Sequence, residues 1–284
     1  MFHILVNKLI SLLITLSHVL LGNLLLTPQT TLCLRGWCGV QPIKICAVGD
    51  VHGRRYIHIF QASLRSMVLF KPDVCVFAGD MVDEGKADEL EVIVDEVKTK
   101  FPNTPIISVF GNEEYHEYED VFMSRYPELL WLNDSMTLMN IRGVNIAFIG
   151  SRGSLDRLTY WQKRNKPELR LVYIERPRIL KSLIDEARKH AELVVLITHY
   201  APTFLTVKGE PERIYPFMGS QLMEKVVKEA KPDIVIHAHA HNARVVEASM
   251  GNTKIYNVSL PARKGLTQVE IQPRKTLENY RVSK

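Results

Sequence analysis

Two polar residues, Asp50 and His52, stand directly after an apolar run at positions 43–48. Such a run is typical of a buried strand, and open α/β sheets carry their chemistry at the carboxyl ends of strands. A carboxylate oxygen and an imidazole nitrogen two positions apart can bind one divalent metal ion. Gly49 and Gly53 allow the chain to turn sharply on either side of that ion. Taken alone, the pattern is equally typical of a polar turn.

Further polar clusters follow other apolar runs in the same way. The runs lie at positions 74–78, 106–110, 193–198 and 233–236. Helical patterns separate several of them, which predicts parallel strands joined by right-handed crossovers. Because the carboxyl ends of parallel strands share one sheet edge, we expect the clusters to converge. The candidate metal ligands are Asp50, His52, Asp80, Asn112, His199, His239 and His241.

This set of carboxylates, imidazoles and one amide oxygen suits Mn, Fe, Zn or Ni better than Ca, and we expect Mn. Seven ligands are too many for one tetrahedral ion and fit two ions that share a carboxylate. Two ions about 3.5–4 Å apart hold a phosphate ester and lower the pKa of a bridging water, whose hydroxide attacks phosphorus in line. The residues therefore predict two divalent metal ions as cofactors and a phosphate ester as substrate.

The order of the clusters resembles the calcineurin-like metallophosphoesterase family, whose pattern is Asp-x-His, Gly-Asp, Gly-Asn-His-Asp/Glu, a later His and Gly-His-x-His. The resemblance covers about residues 43–260. It implies an α/β fold of two mixed β-sheets packed face to face and flanked by helices, a four-layer sandwich within residues 41–284. It also implies the ligands of each ion: Asp50, His52 and His241 for the first, Asn112, His199 and His239 for the second, and Asp80 for both. His237 falls outside the matched positions and is expected to be a neighbour.

Two residues depart from the family pattern. Ala238 stands where the family usually has Gly, which is tolerated if the backbone there does not need a positive φ. Glu113 stands where the family has a His that helps the leaving group to depart. Glu113 can act as the general acid only if burial or neighbouring carboxylates raise its pKa, and otherwise it repels the phosphate. His116 and Tyr115 are alternative acids, although both are also typical of an exposed loop.

Family members without this His resemble phosphodiesterases, and a diester brings one negative charge fewer towards Glu113. We therefore predict a metal-dependent phosphodiesterase whose catalytic residues are Glu113 and the bridging ligand Asp80. Two alternatives stay open: a phosphomonoesterase, including a protein phosphatase, and a catalytically weakened, metal-bound binding module.

Substrate contacts are expected from two arginines. Arg54 and Arg152 are candidates because guanidinium pairs well with phosphate oxygens, the alternative being ordinary surface arginines. Residues 155–171, which include Tyr160 and Trp161, either help to shape the substrate cleft or form an ordinary connecting loop.

Composition narrows the class of protein further. The chain of 284 residues is 46% hydrophobic and 24% charged, an ordinary globular balance. Its net charge of +5 is mild and no basic run exceeds two residues, so no specific nucleic-acid partner is expected. Cys46 and Cys75 lie in apolar runs and are expected to be buried thiols.

Residues 1–40 differ from the rest, since they contain no Asp, Glu or Ala. Residues 9–26 carry no charge, so the segment is a membrane anchor, a signal peptide or a mis-assigned start. Membrane contact is expected only through residues 9–26, and the expected location is cytoplasmic, with a membrane-anchored alternative. Cys33 and Cys38 form a disulfide only if this segment is exported.

The patterns also predict individual elements. Residues 136–141 and 144–149 are expected to form a hairpin, and residues 178–190 a helix. The two halves of the domain, residues 43–149 and 190–272, are each expected to supply one of the two sheets.

Overall fold

The computed structural model describes residues 41–273 of the chain. The expectations for residues 1–40, including the uncharged segment 9–26 and the pair Cys33 and Cys38, lie outside this range. Within residues 41–273, no helix is both long enough and apolar enough to cross a membrane. Cys46 and Cys75 are buried free thiols, as expected.

Strands and helices alternate along most of the described chain. The strands are β1 (Ile43–Val48), β2 (Val74–Phe77), β3 (Ile106–Ser108), β4 (Leu129–Trp131), β5 (Ser135–Ile141), β6 (Val144–Ser151), β7 (Leu193–Thr198), β8 (Ile234–His237), β9 (Glu247–Met250), β10 (Thr253–Asn257) and β11 (Thr267–Ile271). The α-helices are α1 (Ile57–Ser66), α2 (Glu89–Lys100), α3 (Glu119–Arg125), α4 (Tyr160–Asn165), α5 (Leu169–Ala187), α6 (Gln221–Ala230) and α7 (Leu260–Arg263). Short 3₁₀ turns cover Gly53–Arg55, His116–Tyr118 and Glu212–Phe217.

The strands form two mixed sheets, which confirms the predicted fold class. The five-stranded sheet has the order β11-β1-β2-β3-β4, with β11 antiparallel and the others parallel. The six-stranded sheet has the order β5-β6-β7-β8-β10-β9, with its two outermost strands antiparallel to their neighbours. The predicted hairpin is confirmed as β5 and β6.

Apolar side chains from the two sheets meet in one core, so the sheets pack face to face. Ile45 and Val76 of the five-stranded sheet share this core with Phe148 and Val195 of the six-stranded sheet. Helices α1 and α2 cover the outer face of the first sheet, and α5 and α6 that of the second. Because strands such as β7 are buried on both faces, their sequences are continuous apolar runs.

The expected division into two halves was wrong. Strands β5 and β6 precede residue 151 but belong to the second sheet, and β11, near residue 270, returns to the first. The chain therefore crosses between the sheets twice. Pairing between distant strands has no local sequence signal, which is why the pattern of runs did not show it.

Helix α5 begins at Leu169, well before the predicted start at residue 178. The predicted start lay just after Pro177, but the helix continues through this proline. A proline inside a helix leaves the carbonyl four residues earlier without its usual donor. That carbonyl belongs to Tyr173, and the hydroxyl of Ser154 donates to it at 2.6 Å. The Ser154 contact thus replaces the missing bond and ties the segment after β6 to α5.

Three polar side chains fix the starts of two helices, α4 and α6. Thr159 and Gln162 form a capping box at the start of α4, which sets the position of this short helix. The hydroxyl of Ser220 accepts hydrogen bonds from two N–H groups at the start of α6. Residues 155–171, whose structure the sequence left open, are therefore partly helical.

Candidate metal centre

Polar residues that follow strands of both sheets meet at one edge of the molecule. They form two groups, and the ligand-type atoms of each group lie within 4.8 Å of one another. The first group comprises Asp50, His52 and His241, and the second group comprises Asp80, His199 and His239. Asn112 lies beside the second group, so the structure brings all the predicted ligands together.

Short distances between side chains define the first group. His241 Nε2 lies 3.4 Å from Asp50 Oδ2 and 3.4 Å from His52 Nε2. The other ring nitrogen of His52, Nδ1, lies 2.7 Å from Oδ1 of Asp83. A carboxylate in that position holds the proton on Nδ1 and leaves Nε2 as the donor atom for a metal.

Asp80 lies between the two groups. Its Oδ2 is 3.3 Å from His199 Nε2 and 4.0 Å from His52 Nε2, which is the placement a shared ligand needs. His199 Nε2 is also 3.1 Å from Oδ1 of Asn112. The His199 ring is fixed from behind, because Nδ1 donates to the main-chain carbonyl of Ala78 at 3.0 Å.

One oxygen of Asp50 indicates that these residues fit a metal ion. Asp50 is fully buried, and its Oδ1 has no hydrogen-bond partner among the described residues. Burial alone raises the pKa of Asp50, but the hydrogen bond and positive charge of His241 bring that pKa well below its usual range. A buried, ionised oxygen without a donor is costly unless a cation faces it. The donor set and this oxygen together fit divalent metal ions.

Two histidines of the second group differ in how readily they take up a proton. Burial alone lowers the pKa of His199, but the Asp80 carboxylate outweighs burial and raises it to about 9. Burial, together with the positive charge of His199, lowers the pKa of His239 to about 4. A metal that binds to the second group therefore has to displace the proton of His199 but none from His239 near neutral pH.

Four of the ligand-type residues have left-handed backbone conformations. The φ angles are 57° for Asp50, 50° for His52, 51° for Asp80 and 69° for His239. Residues with a side chain rarely adopt this conformation, and it persists where the surrounding structure holds it for function. The sharp turns after the strands thus aim the side chains into the two groups.

Glu114 supports the second group, a role that the sequence analysis missed. Its buried carboxylate accepts hydrogen bonds from the main-chain N–H groups of Asp80, Met81 and Gly111 at 2.7–2.8 Å. Burial and the charge of Asp80 raise the pKa of Glu114, whereas these N–H donors lower it. Glu114 occupies the Asp/Glu position of the family pattern, so the signal was present in the sequence.

Both side-chain oxygens of Glu113 accept hydrogen bonds. Its Oε1 accepts from the side-chain amide of Asn112 at 3.1 Å, and its Oε2 accepts from the main-chain N–H of Glu84 at 2.9 Å. Holding the Asn112 amide nitrogen turns Oδ1 of Asn112 towards His199. Through these contacts Glu113 positions the predicted ligand Asn112.

The other departure from the family pattern, Ala238, fits its place. Ala238 is buried and does not have a positive φ, so glycine is not required there. A Cβ on Gly49 would lie only 2.5 Å from the Cβ of Ala238. The glycine that the close approach requires is therefore Gly49.

The two predicted phosphate-binding arginines lie in different surroundings. The side chain of Arg54 is 92% exposed and reaches Glu89 at 3.7 Å, so the structure does not bring it into the two groups. Arg152 is buried, where it donates to the main-chain carbonyl of Glu114 and to the carboxylate of Glu119. His237 contacts Thr206 and its own neighbour's carbonyl, consistent with the expectation that it is not a ligand.

A cavity of about 430 Å³ adjoins the second group. Asn112 and His239 form part of its wall, together with Glu113 and Arg152. Tyr115 and His116, considered above as alternative acids, also line it, and His116 is paired with Glu119 at 2.8 Å. The remaining wall comes largely from the segment of α4 and α5.

Comparison with known proteins agrees with this geometry. Residues 43–243 match the family model of the calcineurin-like phosphoesterases. A dimetal phosphatase from Danio rerio has a similar structure, with a TM-score of 0.57 at 10% identity over 82% of this chain and 93% of its own. A Staphylococcus aureus protein assigned as a 5′-nucleotidase gives a TM-score of 0.52 at 17% identity, over 81% of this chain and 50% of its own. No curated protein matches the chain.

A third similar structure is GAP50, the anchor in the inner membrane complex of Plasmodium, with a TM-score of 0.50. It is 12% identical over 78% of this chain and 73% of its own. Identities this low show a shared fold alone.

Proposed function

Because this chain belongs to the calcineurin-like phosphoesterase family, a family of metal-dependent phosphoester hydrolases, we propose that it hydrolyses phosphate diesters with two divalent metal ions. Asp50, His52 and His241 would hold one ion, and Asn112, His199 and His239 the other, with Asp80 shared between them. Manganese is the proposed metal, since the mixture of oxygen and imidazole donors suits it.

The observation that carries the proposal is the meeting of these residues around a buried carboxylate oxygen that lacks a donor. Asp50 Oδ1 has no partner among residues 41–273, and the imidazole nitrogens of His241 and His52 lie close by. Two bound ions supply a water of lowered pKa and offset charge on the phosphate oxygens. Asp83 and the main-chain carbonyl of Ala78 hold the rings of His52 and His199 in position for such ions.

The preference for diesters follows from Glu113. It lines the cavity beside the second group, and both its oxygens accept hydrogen bonds from N–H donors. A carboxylate in this position repels the dianion of a monoester more strongly than the single charge of a diester. We therefore assign Glu113 to positioning Asn112 and to this discrimination, with no transfer of a proton.

The test compares two chromogenic substrates, bis-p-nitrophenyl phosphate and p-nitrophenyl phosphate, with manganese added to the chelator-treated protein. We expect faster hydrolysis of the diester and loss of that activity with EDTA. Asp80→Asn should reduce the rate to background, and an unchanged rate in this variant would contradict the proposal.

The same assay separates the alternatives. Faster hydrolysis of the monoester would favour a phosphomonoesterase. Stoichiometric manganese without turnover of either substrate would favour a binding module. Glu113→Gln removes one negative charge while keeping an oxygen acceptor, so it should narrow the difference between diester and monoester.

A further inference from the structure

Five of the sixteen residues that line the cavity beside the second group are phenylalanine, tyrosine or tryptophan. These rings come from separate parts of the chain: Tyr115, Trp161, Tyr173, Tyr200 and Phe217. A volume of about 430 Å³ is within the range of sites that hold small organic molecules. A cavity of this composition favours a planar, aromatic ligand, since stacked and edge-to-face ring pairs gain more than the burial of apolar surface alone.

Trp161 is the feature that points to a ligand. Its side chain is 59% exposed, although it lines the cavity, and it makes no ring contact with another aromatic residue within residues 41–273. The capping box of Thr159 and Gln162 sets the start of α4, the helix that carries Trp161. The amide of Gln162 also donates to the hydroxyl of Tyr173 at 3.1 Å, which ties this helix to the cavity wall. The large apolar ring of Trp161 thus lies exposed at the cavity without an aromatic partner among the described residues.

The inner end of the cavity connects the rings to the metal ligands. Tyr200 packs edge-on against His239, with ring centroids 4.9 Å apart, and against Tyr173, with centroids 6.0 Å apart. Asn112 and His239 themselves form part of the wall. A phosphate group at the second group would therefore have its organic substituent inside the aromatic cavity.

From this arrangement we infer that the substrates are phosphate esters with an aromatic organic group, and that Trp161 selects for that group. The inference rests on the proposed function for the position of the phosphate. It goes beyond that function by naming the class of substrate and the residue that recognises it.

Binding of diester analogues that are not hydrolysed tests the inference apart from turnover. The two ligands are methyl(phenyl)phosphinate and cyclohexyl(methyl)phosphinate, which have no ester bond and carry the same charge and similar volume but differ in planarity. Calorimetric titration of the manganese-loaded protein should show about threefold to tenfold tighter binding of the phenyl compound.

Trp161→Ala should bring the two affinities to within about twofold of each other. Trp161→Phe should keep part of the preference because it keeps a ring. Tyr160→Ala is the matched control, since Tyr160 is the adjacent aromatic residue, is 81% exposed and does not line the cavity. Thermal unfolding and manganese content should be unchanged in all three variants.

Equal binding of the two compounds, no binding of either, or a preference that survives Trp161→Ala would overturn the inference. Preferential binding of the phenyl compound without hydrolysis of any diester would instead contradict the proposed function and leave the aromatic site standing.

Discussion

The two ligand groups are supported in different ways. In the first group, His52 is held by the side-chain carboxylate of Asp83, which also pairs with Arg55 at 3.2 Å. In the second group, His199 is held by a main-chain carbonyl, and the turn that carries Asp80 is held by Glu114. The groups are alike in exposure, since each has two buried members and one half-buried histidine, His241 in the first and His239 in the second.

The comparison shows that the first group depends on one side chain, that of Asp83, near the surface. The second group depends on hydrogen bonds that involve the folded main chain. Substitutions behind the first group should alter metal affinity with little effect on stability. Substitutions behind the second should destabilise the whole domain.

The largest effect is expected from Glu114→Gln. The amide NH₂ of glutamine would face main-chain N–H groups that now donate to a carboxylate, so buried donors lose their acceptor. We expect the free energy of unfolding to fall by about 3 kcal/mol. Chemical denaturation measures it, with Glu113→Gln as the control next in sequence. A loss of under about 1 kcal/mol would mean that the second group does not depend on this carboxylate.

The second-largest effect is expected from a substitution at Gly49, where the chain segments that carry the two groups lie close together. Gly49 precedes Asp50 and Ala238 precedes His239, and a Cβ on Gly49 would lie 2.5 Å from the Cβ of Ala238. Gly49→Ala should cost about 2–3 kcal/mol of stability through overpacking. Adding Ala238→Gly should recover most of the loss, which thermal unfolding of the single and double variants measures. A double variant no more stable than Gly49→Ala would show that the clash lies elsewhere.

Asp83→Asn tests the support of the first group, in which the Asp83 carboxylate holds His52. The amide no longer fixes the proton on Nδ1 of His52, so manganese affinity at that group should fall by about tenfold or more. Affinity at the second group and the free energy of unfolding should stay close to those of the original chain. Competition with a metal chelator resolves the two binding steps. Equal weakening of both steps would remove the distinction between the groups.

The last effect concerns protons and needs no substitution. His199 has a pKa of about 9 without metal, so it is protonated at pH 7 and must lose that proton when the second group binds an ion. Affinity should therefore rise with pH towards 9 and fall by up to about tenfold for each unit of pH below it. Manganese titrations in two buffers of different ionisation enthalpy should reveal the release of about one proton from this residue. Affinity independent of pH between 6 and 8 would contradict it.

Much of the candidate site was predictable because its residues follow apolar runs. Asp50, Asp80 and His239 each come after a continuous buried strand, and parallel strands end at one edge. The alternation of strands and helices predicted parallel strands, whereas the sandwich of two mixed sheets was implied by the resemblance to the family. What such patterns supply is the order of elements and the side on which polar residues gather.

The supporting contacts were not predictable, since they join residues far apart in sequence. Nothing local marks Asp83 as the partner of His52, or Ser154 as the donor that lets α5 continue through Pro177. Arg54 is the opposite case: it lies two residues from His52 in sequence, yet its side chain lies near Glu89, outside the two groups. Local pattern shows which residues can do chemistry, and tertiary packing decides which of them meet.

The pairing of β1 with β11 has a consequence for the order in which the molecule matures. Ala47, just before the first ligands, is matched in the sheet with Thr267. As the polypeptide leaves the ribosome, β1 is the earliest of the described strands and β11 the latest. Asp50 and His52 follow β1. Until β11 has been synthesised and has paired with β1, one side of β1 has unpaired main-chain groups, to which strands of other nascent chains can bind. The side of β1, the strand that leads to Asp50 and His52, is therefore among the last parts of the described chain to be sealed during biogenesis.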